Sequence, residues 1–143
     1  MKKNHIISLL SVQTEDGERT ESELFTDALV ECTEDSSIIV YEDTETTGFE
    51  GSVTTIKITG GKEATISRTG TSNSFLTFET GKKHYCQYGT PFGTFQMGVY
   101  THALEDTLMT NGRLYMKYTI DVNASMLSDN EITITIKNFR KGL

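Results

Sequence analysis

Four Thr-Gly dipeptides divide the middle of this 143-residue chain into short, nearly equal lengths. They are Thr47-Gly48, Thr59-Gly60, Thr69-Gly70 and Thr80-Gly81, spaced 12, 10 and 11 residues apart. Glycine reaches positive φ without steric cost, so its recurrence between apolar runs reads as a recurring turn. Short strands at regular spacing with turn signals predict an all-β sandwich or barrel. The length suits a single domain over 1–143, able to bury about two-thirds of its unfolded surface.

Alternation of apolar and polar residues marks strands with one buried face. Leu114, Met116, Tyr118, Ile120 and Val122 face one way, against Tyr115, Lys117, Thr119 and Asp121. Ile132, Ile134 and Ile136 repeat the pattern against Thr133, Thr135 and Lys137. Strands are expected near 4–13, 23–32, 37–46, 52–59, 63–68, 74–80, 83–90, 93–109, 113–123 and 126–138. Asn111-Gly112 predicts a type I′ hairpin turn, which needs positive φ at both central residues. No segment has a convincing helical period, and 103–109 continues the alternation. Short connections favour an up-and-down meander, and closure into a barrel removes exposed edges. The expected fold is therefore a single antiparallel barrel of eight to ten strands.

Charge excludes some functions. The net charge is −7, and residues 14–50 hold thirteen acids against one base, Arg19. Such a field repels phosphate backbones, so no nucleic-acid partner is expected. The acids read as solvated strand faces, or else as a docking surface for a basic protein. Ile6 to Val12 is at the short limit of about 7 residues for a signal sequence and is followed by no cleavage site, so it reads as a first strand. No segment reaches the roughly 18 apolar residues of a membrane helix. A soluble, cytoplasmic protein with no membrane partner is expected. Cys32 and Cys86 are not in a C-x-x-C pair and read as free thiols.

Phosphate-loop, dinucleotide, zincin, serine-hydrolase and EF-hand motifs are all missing. His5, His84 and His102 lack metal-ligand spacing. Neither a cofactor nor a metal is expected. The densest stretch is Gly81–Thr101, with a turn at Thr90-Pro91-Phe92-Gly93. His84, Cys86 and Tyr88 share one strand face there. Thr94, Gln96, Gly98 and Tyr100 share another, opposite Phe95, Met97 and Val99. Gly98, inside a strand, marks a bend or a close approach.

Several of these elements resemble the YwiB-like proteins of Gram-positive bacteria. They are Phe49-Glu50-Gly51, Thr55-Ile56-Lys57-Ile58, Arg68-Thr69-Gly70, Gly81-Lys82-Lys83-His84, Thr90-Pro91-Phe92-Gly93, Met97-Gly98-Val99-Tyr100-Thr101 and Asn130-Glu131-Ile132-Thr133-Ile134. The resemblance runs nearly the full length, in order and at matching spacing. It implies a calycin-like barrel, related in shape to lipocalins and fatty-acid-binding proteins. It carries over no catalytic residue.

Arg68 shares a face with Ala64 and Ile66, which would aim a guanidinium into the barrel. A charge there needs a partner. That partner is either the carboxylate of a ligand or an acid such as Glu50 near the barrel mouth. His84, Tyr88, Gln96 and Tyr100 are further candidates for orienting a ligand. Tyr118, Phe75, Phe78, Phe92, Phe95 and Met97 read as packing. The leading expectation is non-enzymatic binding of a small, partly apolar ligand, with or without a carboxylate. The alternative is a protein-interaction module with a filled barrel and the acidic 14–50 surface. An enzyme using His84, Tyr88 and Arg68 ranks last, because no nucleophile–base pair is visible. The protein is expected as a monomer or as a homodimer joined through the 93–123 hairpin.

Overall fold

A two-residue turn joins the first two strands, where Asp16 and Gly17 both adopt positive φ, 51° and 79°. Two successive left-handed residues match the right-handed twist of a hairpin. Strand β1 (His5–Glu15) therefore runs straight back as β2 (Glu18–Cys32). The computed structural model describes residues 3–45, 49–71, 73–90, 93–123 and 125–137, without the side chains of 88–90, 93 and 94.

Eight further strands follow: β3 (Ser36–Glu42), β4 (Ser52–Thr59), β5 (Glu63–Gly70), β6 (Ser74–Glu79), β7 (Lys83–Thr90), β8 (Gly93–Thr107), β9 (Arg113–Val122) and β10 (Ser125–Ile136). The sheet order is β6-β5-β4-β3-β2-β1-β10-β9-β8-β7, with every ladder antiparallel. The meander is thus a nearly closed barrel of ten strands. Its two edges, β6 and β7, follow each other through a short turn, where Thr80, just past β6, bridges to Thr101 of β8. There Gly81 N–H donates to the Thr101 carbonyl at 2.9 Å and Thr101 N–H to the Lys82 carbonyl at 3.3 Å. On the opposite side β2 changes partner. It pairs with β1 through residues 18–28, then with β3 over Leu29–Cys32.

The inner face follows the alternation. Ile7, Ile39, Ile58, Phe78, Leu114 and Ile134 have no exposed surface. Burying such a side chain contributes about 1.5–3 kcal/mol each. Phe78 meets Tyr118 edge-on, with ring centroids 4.8 Å apart. Phe75, by contrast, points out to solvent. Cys32 and Cys86 are both half-buried free thiols, and burial raises the Cys86 pKa.

Three local expectations need correction. β2 begins at Glu18 rather than near 23, because Asp16-Gly17 already turns the chain. Leu108–Asn111 is one helical turn, α1, not strand. Gly112, at φ 69°, caps it by donating its N–H to the Leu108 carbonyl at 3.2 Å. Asn111 is not at positive φ, so no type I′ turn forms; burying Leu108 under the barrel end favours the helical turn. Gly98 is no corner. It sits in a regular ladder between Tyr85 and Asp121, and the β8 irregularity lies further on, between Thr101 and Ala103.

The Thr-Gly pairs serve different ends. Gly60 and Gly81 occupy turns at φ 62° and 79°. Gly70 (φ 125°) ends β5 so close to β4 that an added Cβ would lie 2.5 Å from the Gly51 carbonyl oxygen. Thr47-Gly48 and most of the Pro91 turn fall outside the described residues.

Candidate functional site: a donor-rich cavity inside the barrel

The ladders align Tyr41, Thr54, Arg68 and Ser74 in one row across β3, β4, β5 and β6. The next inward row is Ile39, Ile56, Ile66 and Leu76. Alternation on β5 thus carries Arg68 to the inner face, beside an aliphatic wall. Facing it, β1, β2, β9 and β10 contribute Leu9, Leu24, Tyr118 and Ile132. Between the two walls lies a cavity of about 250 Å³. That is slightly below the roughly 300–1,000 Å³ of pockets for drug-sized molecules. Ser22 and Glu23, both exposed, mark its open end, and Ser11 and Ser74 add hydroxyls to its lining. Among the described lining residues there is no His or Cys.

The half-buried guanidinium is held from three directions. Arg68 Nε stands 3.3 Å from Asp43 Oδ2 and donates to the Thr54 hydroxyl at 3.1 Å. The Thr54 hydroxyl in turn donates to Asp43 Oδ2 at 2.7 Å. The Phe49 ring covers the flat face of the guanidinium, with Cζ 3.7 Å from the ring centre. Asp43 lies just past the end of β3 and is pinned by its N–H, which donates to the Ser52 carbonyl at 2.8 Å. Its side chain is fully buried. The partner that the inward Arg68 requires is therefore Asp43, not Glu50.

Two phenols share this end. Burial, with Asp43 adding, raises the Tyr41 pKa, while Arg68 and Thr54 pull against the rise. Burial pushes Tyr118 up to about 12, with Tyr41 adding to it. Both hydroxyls stay protonated across the physiological range and remain able to donate. The end of the cavity is thus a cluster of donors on an otherwise aliphatic chamber.

The other candidate residues are not brought to it. Glu50 is exposed and offers its main-chain carbonyl to the Thr71 hydroxyl at 2.7 Å. His84 faces inward opposite Val99, but at the β6–β7 seam, where its Nε2 lies 3.1 Å from Glu79 Oε1. Gln96 and Tyr100 point outward with Gly98, because Val99 and Met97 take the inner face. The ring of Tyr100 packs edge-on against His102. The side chain of Tyr88 lies outside the described residues. Sequence reasoning missed Tyr41, Asp43, Phe49 and Thr54. Asp43 carried one signal: it ends an alternating run through Ile39 and Tyr41, so it continues their inward face.

Comparison with known proteins agrees with this architecture. A family described as "Domain of unknown function (DUF1934)" matches residues 7–134. Among solved structures, the ywiB protein from Bacillus subtilis superposes with a TM-score of 0.68. The match is at 20% identity and covers 96% of each chain. No curated protein matches the chain. Among the described residues, no helix is long and apolar enough to cross a membrane.

Proposed function

The chain belongs to the DUF1934 family, and on that premise we propose that it is a non-enzymatic binding protein for a small, partly apolar molecule. One observation carries the reading. The barrel is not filled: a chamber of about 250 Å³ remains beside Arg68. Apolar walls would supply affinity, and the few polar groups at one end would orient the ligand. The half-buried thiols Cys32 and Cys86 are free, which suits a reducing cytoplasmic setting.

Native mass spectrometry on protein purified gently from its own host tests this. An extra mass that recurs between preparations, and is lost on denaturation, is the expected result. A clean apo mass, together with no response to cavity-sized molecules at millimolar concentration, overturns it.

A second reading has its own support. Residues 18–28 of β2 have no ladder on the side away from β1 among the described residues, and Glu18, Glu21, Glu23 and Asp27 are exposed there. Such an edge could receive a basic, extended segment of a partner protein. A salt-sensitive pull-down, with an empty cavity, distinguishes this reading from the first.

A further inference from the structure

We infer that the ligand is uncharged at the end that meets Arg68: an apolar body carrying a neutral carbonyl or hydroxyl oxygen, with free carboxylates selected against. The inference rests on the cavity reading above and narrows it. Arg68 is the one base among the described lining residues, and a lone inward arginine would ordinarily suggest an anionic ligand. Here its charge is already matched. Asp43 sits behind it, fully buried, taking up Nε directly and through Thr54. The polar end therefore has no net charge before any ligand arrives.

A ligand carboxylate would leave one uncompensated negative charge in a largely buried site, which is costly. A ligand ammonium meets the opposite problem, since it would approach the guanidinium face of the cluster. Donor capacity remains on the Tyr118 phenol, the Ser74 hydroxyl and the guanidinium, while the Tyr41 hydroxyl is already engaged with Thr54 and Arg68. Donors without a charge to neutralise select an acceptor oxygen on a neutral molecule.

Isothermal titration with three six-carbon probes at pH 7.5 tests this: hexanamide, hexan-1-ol and hexanoate. The expected result is that hexanamide or hexan-1-ol binds at least tenfold more tightly than hexanoate. Asp43→Asn should then raise hexanoate affinity while leaving hexanamide within about twofold, because only the anion responds to the removed charge. Hexanoate binding as tightly as the neutral probes overturns the inference and leaves the cavity reading intact. If none of the three binds at 10 mM, the cavity reading itself fails. Should Asp43→Asn not fold, the wild-type ratio alone decides.

Discussion

Arg68 and Asp43 meet inside the barrel wall, Nε to Oδ2 at 3.3 Å, although 25 residues separate them in the chain. Removing one member of a buried pair leaves the other as an uncompensated charge. Asp43→Ala is therefore expected to lower stability in urea by about 3 kcal/mol or more. Replacing both, as Arg68→Met with Asp43→Leu, should cost much less than the sum of the single changes. Additive losses would show that the two side chains are not coupled.

Thr101 is fully buried, and its hydroxyl has no hydrogen-bond partner among the described residues. Its backbone groups, however, tie the β6–β7 turn to β8. Thr101→Val keeps the shape and the backbone bonds while removing the unpaired oxygen. It should stabilise the protein by about 1 kcal/mol, seen as a higher Tm. A loss of stability would mean that the hydroxyl is satisfied in solution.

Gly98 lies beneath the Asp121 carboxylate, which Lys83 holds across the outer face of β7, β8 and β9. A Cβ at position 98 would come within 2.6 Å of Asp121 Oδ1. Gly98→Ala should thus cost about 1 kcal/mol or more in the native background. In an Asp121→Ala background it should become neutral or slightly favourable, since alanine is less costly to order than glycine. Equal losses in both backgrounds would place the constraint in the backbone.

Tyr118 is expected to make the protein lose stability in alkali. Its folded pKa of about 12 lies above the ordinary tyrosine value of 10.0. Above pH 10 the unfolded chain releases this proton while the folded chain keeps it. Unfolding is thereby favoured, by up to about 1.4 kcal/mol per pH unit until pH 12. Loss of the Lys83 charge adds to the slope over a similar range, since its pKa too is raised, first by its hydrogen bond to Asp121. That contribution is common to both proteins when wild type is compared with Tyr118→Phe. The phenylalanine variant should show the shallower slope in urea titrations from pH 9 to 11.5. Parallel slopes would rule out a buried, protonated Tyr118.

Alternation made the strands, the barrel and the inward aim of Arg68 legible, because period 2 assigns each side chain to a face. It did not show which inward residues would be neighbours. Tyr41, Thr54 and Arg68 form a row only through the β3–β4 and β4–β5 registers, which depend on turn geometry. Asp43 was hidden for another reason. In a stretch with thirteen acids, the one that turns inward has the same composition as those that stay in water. The same face rule explains Gln96 and Tyr100: their tight sequence cluster with His84 suggested a shared site, yet they lie on the opposite side of the sheet. Leu108–Asn111 went unread because one helical turn is too short to display a period of 3.6.

The order of strands has a consequence for how the barrel is made. Every ladder joins strands consecutive in the chain except one, in which Ile7 lies across from Ile136. The sheet's loose edges lie mid-chain, while its first and last strands are zipped together. Folding must therefore close a loop spanning nearly the whole molecule, a slow, entropically opposed step. If the ends were linked and the chain reopened between Thr80 and Lys82, the same ladders would form entirely between consecutive strands. Such a permutant would keep the native barrel and fold to it faster, separating the shape of this protein from the route its chain takes to reach it.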